Sequence, residues 1–250
     1  MFMSYFPILG YFYRYNDTYF FSFPVFARKI FIGKKIPKEG GSMKQISKNQ
    51  LERYPAYLKY FKELKEQGIE YVSSPKIGAK LGYSEEQVRK DLQCVSLSSG
   101  RPKRGRSVEQ LVEDLETFLG YRHLSKAVVI GVGHLGGALL NFPAFKEMGL
   151  EIVAGFDLSK DLIGKKIGGK EIYDYKDFPT LLPKFSVNIV IVCVPASVAQ
   201  EVIDTAVSSG AKGIWNFAPA HIEVPEGVAI ETVDLASSLA VLSHKLSTNE

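Results

Sequence analysis

Residues 126–157 read KAVVIGVGHLGGALLNFPAFKEMGLEIVAGFD. The run Ala127–Ile130 is short, apolar and rich in β-branched side chains, which is typical of a strand buried on both faces of a parallel sheet. Glycines follow at positions 131, 133 and 136, and helix-forming residues continue from Gly137 to about Met148. A second apolar run, Leu150–Phe156, then ends in Asp157. The order of strand, glycine turn, helix and strand predicts a doubly wound α/β unit.

Within this unit the glycines have the G-x-G-x-x-G spacing of the dinucleotide fingerprint. Gly131 makes the tight turn, Gly133 lets the backbone approach a pyrophosphate, and Gly136 lets the helix pack closely on the strand. The free N–H groups and the positive end of the helix attract phosphates. Asp157, about 20 residues beyond the last glycine, can accept hydrogen bonds from both ribose hydroxyls, and its charge repels a 2′-phosphate. The stretch therefore predicts NAD(H) binding, in preference to NADP(H), and the alternative interpretation is an ordinary turn between a strand and a helix.

The alternation of strands and helices continues to the end of the chain. Strands are predicted at Val187–Val194, Lys212–Asn216 and Val228–Thr232, and an apolar-striped helix at Leu235–Leu246. In a doubly wound sheet, ligands bind beyond the carboxyl ends of the strands. The strand-end residues from Val194 onwards have ordinary turn chemistry as the alternative interpretation. The candidate cofactor contacts are Gly131, Gly133, His134, Leu135, Gly136, Asp157, Val194, Pro195, Asn216, Phe217, Ala218 and Pro219.

The net charge of +4 conceals a strong asymmetry between parts of the chain. Residues 43–107 contain 14 Lys and Arg against 7 Asp and Glu, whereas residues 108–250 contain 11 against 18. A small basic domain joined to an acidic α/β domain suggests a part that binds nucleic acid attached to a part that binds a ligand.

The basic part contains the pattern of a helix-turn-helix. Pro75 at the start of one short helix, the turn at Gly82 and the capping box Ser84–Gln87 predict two helices, the second running to about Val95. The second helix would lie in the major groove. Because Val88 and Leu92 should face the core, Arg89 and Lys90 should face the DNA.

A basic segment, Ser98–Ser107, follows this helix. Its cations stand among glycine, proline and serine, which is the composition of a β-wing or flexible arm that contacts phosphates or a minor groove. The alternative interpretation of this segment is a basic linker. The alternative for Arg89 and Lys90 is an ordinary solvated helix face. The candidate DNA contacts are Ser73, Ser74, Arg89, Lys90, Arg101, Lys103, Arg104 and Arg106.

These patterns predict an α/β protein with an N-terminal winged helix-turn-helix domain and a Rossmann-type domain that carries a C-terminal helix. The predicted boundaries are 43–107 for DNA binding, 108–234 for nucleotide binding and 235–250 for dimerisation. An amphipathic helix from Ser107 to Leu119 would bridge the two domains. Two unrelated cysteines favour a reducing cytoplasm. None of the four histidines stands in a catalytic or metal-binding motif, which indicates a regulator and not an enzyme.

Residues 1–42 differ from the rest of the chain. Thirteen of the 29 Phe and Tyr lie between Phe2 and Phe31, and interrupting charges leave no run of the roughly 18 apolar residues that a membrane helix needs. We expect residues 1–42 to be an untranslated leader that has been read as protein. Phe, Tyr, Ile, Lys and Asn, the residues that AT-rich DNA encodes, dominate the segment. Lys38–Gly41 can be encoded with AGGAGG, a bacterial ribosome-binding site, a short distance upstream of Met43. A genuine, disordered or membrane-touching extension is the alternative. An intact mass of the native protein that includes residues 1–42 would contradict the leader.

Taken together, the motifs resemble the Rex family of bacterial redox-sensing repressors over nearly all of Ser47–Leu246. The segments that carry the resemblance are Tyr71–Ser74, Gln87–Leu92, Gly131–Leu140, Val194–Ala196 with Ala199 and Gln200, Asn216–Pro219 and Val233–Leu235. The resemblance implies a homodimer of winged-helix and Rossmann domains, with C-terminal helices exchanged between subunits. It also implies that NADH releases a palindromic operator and that NAD⁺ permits DNA binding.

The chain departs from the family pattern at the wing and at the redox switch. The wing carries Gly105-Arg106 where Gly-Tyr is usual. Phe142 stands where a Tyr hydroxyl is linked, in the family, to the aspartate that matches Asp234. Lys59 stands where an Arg is the alternative partner of that aspartate. We therefore expect a repressor with a weakened NADH response.

Two other interpretations remain open from the sequence. One is a regulator with the same fold that responds to a CoA derivative, since related Rossmann domains bind CoA. The other, from a different class, is an NAD-dependent oxidoreductase with an incidental basic domain.

Overall fold

The computed structural model describes residues 11–15, 18–22, 46–96 and 104–247. The chain divides into two compact units, Met1–His123 and Leu124–Glu250, which we call the head and the body. Strands β1 (Tyr11–Tyr15) and β2 (Thr18–Ser22) form an antiparallel pair. The remainder of the predicted leader lies outside the described residues, as do two of the predicted wing cations, Arg101 and Lys103.

The head is a helix-turn-helix with a short strand pair. Its elements are α1 (Lys48–Glu66), β3 (Tyr71–Val72), α2 (Ser74–Leu81), α3 (Glu85–Val95), β4 (Arg106–Ser107) and α4 (Val108–Leu119). Gly82 ends α2 with φ 73°, the left-handed conformation that suits glycine, and Ser84 Oγ accepts a hydrogen bond from Gln87 N at 3.2 Å to begin α3. Strand β4 pairs antiparallel with β3. These elements match the predicted winged helix-turn-helix fold.

Helix α4 belongs to the head, whereas the sequence placed the boundary before it, at residue 107. Its apolar stripe, which includes Leu111 and Leu115, lies in one core cluster with Tyr57 and Phe61 of α1. The boundary falls after His123 instead. An amphipathic stripe shows that a helix packs against something, but it does not show which of two neighbouring domains supplies the partner.

The body is built on a seven-stranded sheet in the order β11-β10-β9-β5-β6-β8-β7. All pairs are parallel except β7 with β8. Without β7, this is the order 3-2-1-4-5-6, which is typical of the doubly wound fold that the sequence predicts. The strands are β5 (Ser125–Ile130), β6 (Leu150–Asp157), β7 (Lys166–Ile167), β8 (Lys170–Asp174), β9 (Ile189–Val192), β10 (Gly213–Asn216) and β11 (Ala229–Thr232). The helices are α5 (His134–Leu140), α6 (Ala144–Glu147), α7 (Phe178–Leu181), α8 (Ala196–Ser208) and α9 (Leu235–Ser247).

Strand β5 is buried on both faces, as its continuous apolar run predicted. Val128 and Ile130 lie in the core cluster on one face of the sheet, and Ala127 and Val129 lie in the cluster on the other. The single helix expected from Gly137 to about Met148 is two helices, because Pro143 cannot donate the hydrogen bond that would continue α5.

Helix α9 has every residue exposed, and its large apolar side chains recur at three- and four-residue intervals. These are Leu235, Leu239, Leu242 and Leu246, each between 54% and 69% exposed. None of the helices in the described part of the chain is both long and apolar enough to cross a membrane.

Candidate functional site

The glycine loop between β5 and α5 has two glycines that the fold itself requires. Gly131 has φ 86°, and a Cβ on it would lie 2.6 Å from the carbonyl oxygen of Cys193. A Cβ on Gly136 would lie 1.9 Å from the carbonyl oxygen of Gly131. Gly133 differs, because no atom of the described residues comes within 4 Å of a Cβ built there. The space next to Gly133 is therefore unfilled by the described residues, which leaves room for the backbone approach that the fingerprint predicts.

The loop ends at the exposed start of α5. Gly133 is the N-cap residue and makes no side-chain capping bond, while His134 and Leu135 are exposed. The first N–H groups of a helix have no partner inside it, so they can bind an anion placed over the loop.

Asp157 connects the glycine loop to the end of β6. Its Oδ2 accepts a hydrogen bond from Val132 N at 2.6 Å, and its Oδ1 accepts one from Ser159 N at 2.8 Å. The carboxylate is half-buried. Since each carboxylate oxygen has two lone pairs, Asp157 can hold the loop and also accept a ribose hydroxyl.

The ends of β9 and β10 lie level with the glycine loop. Cys193 N donates to Ile130 O at 2.8 Å, and Phe217 N donates to Val192 O at 2.9 Å. Val194 is half-buried and Pro195 is exposed. This carboxyl edge of the sheet therefore brings the predicted strand-end residues together.

Two of the predicted cofactor contacts, Asn216 and Ala218, are buried and serve the turn after β10. Asn216 Nδ2 donates to Ala218 O at 3.0 Å, and Asn216 Oδ1 accepts from Ala218 N at 2.9 Å. The accessible parts of this turn are Phe217, which is half-buried, and Pro219, which is exposed. Asn216 thus positions the turn, and its side chain faces the protein.

A row of aromatic rings, which the sequence analysis missed, leads from the first Rossmann helix to this turn. Phe142 contacts Phe145 with ring centroids 4.8 Å apart, Phe145 contacts Trp215 at 5.5 Å, and Trp215 contacts Phe217 at 5.0 Å. Phe142 itself is 48% exposed. A continuous series of ring contacts therefore links Phe142, a predicted switch residue, to Phe217 at the predicted cofactor edge.

Asp234, the second predicted switch residue, lies immediately before α9. Its carboxylate accepts hydrogen bonds from Ala236 N at 2.9 Å, Ser237 N at 3.1 Å and the Ser237 hydroxyl. The hydrogen bonds from Ser237 hold the pKa of Asp234 below its usual value. Lys59, the third switch residue, is exposed on α1 in the head.

The predicted DNA-contacting face of α3 is exposed in the head. Arg89 and Lys90 point outward, and each pairs with a glutamate one turn earlier, Glu85 and Glu86 respectively. Ser73 is exposed and Ser74 is half-buried at the start of α2.

The two wing cations within the described residues differ in their surroundings. The Arg104 guanidinium lies 5.6 Å from the centre of the Tyr71 ring, a cation–π contact. Arg106 is half-buried, and burial lowers its pKa, with the charge of Asp114 opposing that effect. Arg104 is therefore the more exposed of the two.

A buried ion pair behind α3 is a feature that the sequence analysis did not find. Arg53 of α1 donates to both carboxylate oxygens of Asp91, Nε to Oδ2 at 2.7 Å and Nη2 to Oδ1 at 2.9 Å. The Tyr57 hydroxyl donates to Asp91 Oδ2 at 3.0 Å, and the Tyr54 hydroxyl donates to the Asp91 carbonyl at 3.0 Å. The hydrogen bond to Asp91 raises the pKa of Arg53. This network fixes the rotation of α3 against α1.

In the described part of the chain, no three His, Cys, Asp or Glu side chains are grouped so that they could hold a metal ion. The site chemistry there consists of hydrogen-bond donors, carboxylates, cations and aromatic surfaces.

A winged helix-turn-helix head attached to a doubly wound body with an open glycine loop defines the class of ligand-responsive DNA-binding regulators. Family models agree with both parts: one described as "Putative DNA-binding protein N-terminus" matches residues 45–93, and one described as "CoA binding domain" matches residues 123–220.

Curated relatives match about four fifths of the chain. The chain is 39% identical over 206 residues to the redox-sensing transcriptional repressor Rex of Bacteroides fragilis, covering 82% of this chain and 93% of that protein. It is 38% identical over 203 residues to the Rex protein of Clostridium botulinum, covering 81% and 96%. The chain belongs to the Rex family of redox-sensing transcriptional repressors.

Solved structures give the same result. The chain is similar to RSP, a Rex-family repressor, in its complex with NAD⁺ and operator DNA, with a TM-score of 0.77 and 32% identity, covering 82% of this chain and 94% of that one. It is similar to RSP in complex with NADH at a TM-score of 0.75 and 31% identity, covering 82% and 96%. The relatives are repressors, so the oxidoreductase interpretation is set aside.

Proposed function

We propose that this protein binds operator DNA through its head, binds NAD(H) in its body, and releases the operator when NADH binds. The open space at Gly133, at the start of α5 and beside Asp157, is the observation that carries this proposal. It lies where a doubly wound fold binds a pyrophosphate. The relative RSP has been solved in one complex with NAD⁺ and operator DNA and in another with NADH. These structures support NAD(H) and operator DNA as the ligands of this protein.

The residues divide the task by their chemistry. The N–H groups from Gly133 to Gly136 bind the pyrophosphate, and Asp157 accepts hydrogen bonds from the ribose. The turn at Phe217 and the residues Val194 and Pro195 contact the remaining part of the cofactor. On the DNA side, Arg89 and Lys90 contact base edges or phosphates, while the cations of the wing neutralise phosphates.

The redox response depends on how the two cofactor states differ in affinity for the two conformations, because a ligand shifts an equilibrium only by that difference. Phe142 has no hydroxyl to offer Asp234, so the NADH-bound state lacks one contact of the family's switch. Lys59 is a single point charge without the planar fork of Arg. We therefore propose that the operator affinity of this repressor responds only weakly to NADH.

The assembly that we propose is a homodimer held together by α9. Leu235, Leu239, Leu242 and Leu246 are all exposed along this helix, and an apolar stripe of this kind is normally covered. A second copy would cover it and would place two recognition helices on a palindromic operator. Light scattering at micromolar concentration tests this, and a monomer would contradict it.

A CoA derivative is the second candidate ligand, because the family model that matches residues 123–220 is described as a CoA-binding domain. The carboxylate of Asp157 argues for NAD(H), because CoA carries a 3′-phosphate on its ribose and would bring anionic charge close to it. Calorimetry with NADH, NAD⁺, NADPH and CoA distinguishes the two candidates.

The deciding experiment is fluorescence anisotropy of a labelled palindromic operator titrated with protein, with and without saturating NADH or NAD⁺. We expect weaker operator binding with NADH than with NAD⁺. Equal operator affinity in both cofactors would contradict redox sensing.

A matched pair of glycine variants tests the cofactor site itself. An alanine at Gly133 meets no atom of the described residues, and an alanine at Gly137 meets only Val132 O at 3.9 Å. Both variants should fold. Gly133→Ala should weaken NADH binding by at least tenfold, because its methyl group occupies the ligand's space, whereas Gly137→Ala should bind NADH as the parent does. Equal NADH affinity in the two variants would contradict the site.

A further inference from the structure

The outward face of α3 carries acidic as well as basic side chains. Val88, Asp91 and Leu92 are buried, so the opposite face of this helix is the one presented to solvent. At 100° per residue, Glu86 and Lys90 lie at the centre of that face. The ion pair between Asp91 and Arg53 fixes this rotation.

Each cation on this face is already neutralised within the helix. Lys90 Nζ lies 2.6 Å from Glu86 Oε1, and the side chains are 64% and 75% exposed. Arg89 pairs in the same way with Glu85. A glutamate is ordinarily charged at neutral pH, and the hydrogen bond from Lys90 lowers the pKa of Glu86 further. The exposed part of the recognition helix therefore presents nearly no net charge to a phosphate backbone.

We propose that Glu86 is a specificity-determining residue that penalises binding to DNA other than the operator. The inference rests on the proposed function, in which α3 enters the major groove. Sequence-independent binding comes almost entirely from cations that neutralise phosphates. A carboxylate at the centre of the helix face is repelled by the same phosphates and holds Lys90 away from them.

A matching operator compensates for this penalty and other sequences do not. Guanine O6 and N7 accept hydrogen bonds from Lys90 in place of the carboxylate, and the N4 amino group of cytosine donates to a freed Glu86. Phosphates offer Lys90 an acceptor but offer Glu86 no donor. Glu86 therefore lowers the affinity of the protein for every DNA sequence, and only matching bases restore that affinity.

An ordinary helix-stabilising pair would behave differently. Glu86 and Lys90 are spaced i, i+4, which stabilises an isolated helix modestly. If that were the only role of Glu86, removing its charge would weaken binding to all sequences alike, because a less stable helix presents every contact less often.

The test is anisotropy of the full-length protein on two duplexes of equal length and base composition, the palindromic operator and a scrambled sequence, over a range of salt concentrations. Glu86→Gln removes the charge and keeps the size. The matched control is Glu113→Gln on α4, which removes an exposed carboxylate that pairs with Arg122 at 3.7 Å, outside the recognition helix and the wing.

We expect Glu86→Gln to bind the scrambled duplex roughly three- to tenfold more tightly, with a salt dependence steeper by about one unit of slope per subunit. Operator affinity should change by less than twofold, so the ratio of operator to scrambled affinity falls. Glu113→Gln should leave that ratio unchanged.

An unchanged ratio in Glu86→Gln, or an equal fall in Glu113→Gln, would overturn the inference while the proposed function stands. Failure of the parent protein to prefer the operator over the scrambled duplex would overturn the proposed function, and the inference with it.

Discussion

Replacing Asp91 by Asn should destabilise the head of this protein. The head should then unfold locally far more often than it does with any surface substitution. The carboxylate is buried, with its side chain 4% exposed, and it accepts two hydrogen bonds from Arg53 and one from Tyr57. Asn keeps the volume but removes the charge, and it turns an NH₂ group toward donors that need an acceptor. Arg53 then keeps its charge in a half-buried position without the carboxylate that pairs with it.

The magnitude follows from this geometry. Removing one partner of a buried ion pair costs about 3–5 kcal/mol. Arg53 is 18% exposed and also donates to Asn49 O at 2.9 Å, so water and the backbone relieve part of the loss. We expect about 3 kcal/mol, which is roughly a hundredfold in the opening equilibrium of the head.

Hydrogen exchange followed by mass spectrometry measures this in the full chain. The amides of α1 and α3 report on the head, and those of β5 report on the body and should be unchanged. Replacing both partners, as Arg53→Met with Asp91→Leu, should cost less than Asp91→Asn alone, because no charge is then buried unpaired. The reasoning fails if Asp91→Asn destabilises α1 and α3 no more than a surface change such as Glu113→Gln, which should cost less than about 1 kcal/mol.

Three further predictions concern the body. Burial raises the pKa of Cys193 to about 12, from an ordinary value near 9, so the unfolded thiol ionises first and the body should lose stability as the pH rises from about 9 towards 12. Thermal unfolding followed by the fluorescence of Trp215 should show a larger loss between pH 8 and pH 10 in the parent than in Cys193→Ala, and equal losses would contradict this. Phe142→Tyr should increase the NADH effect on operator affinity by roughly tenfold or more, through a hydrogen bond to a charged group, and an unchanged or smaller effect in operator anisotropy would show that the switch does not run through this position. Calorimetry should give tighter binding of NADH than of NADPH because Asp157 repels a 2′-phosphate, and equal or tighter NADPH binding would refute that role.

The parts of the molecule that the sequence alone determined are those with short-range causes. The strand before Gly131, the turn, helical structure after it and the acidic residue at the end of β6 were all predicted, because periodicity, a positive φ and a burial pattern are properties of adjacent residues. The break in that helix at Pro143 was not predicted. The start of α3 at Ser84 and that of α4 at Ser107 were predicted for the same reason, since a cap acts across three residues. Asp234 also caps α9, because it accepts hydrogen bonds from Ala236 N and Ser237 N, and this short-range role was not predicted.

The parts that only the tertiary structure decided involve choices between distant partners. Arg53 and Asp91 are 38 positions apart, and nothing local distinguishes their charges from the solvated ones beside them. The apolar stripe of α4 could have packed on either domain, and it packs on α1. Asn216 ends a strand at the ligand-binding edge, yet its amide turns inward to Ala218. Periodicity indicates whether a side chain is buried or exposed. Packing is cooperative and non-local, and it selects the residues that the side chain contacts.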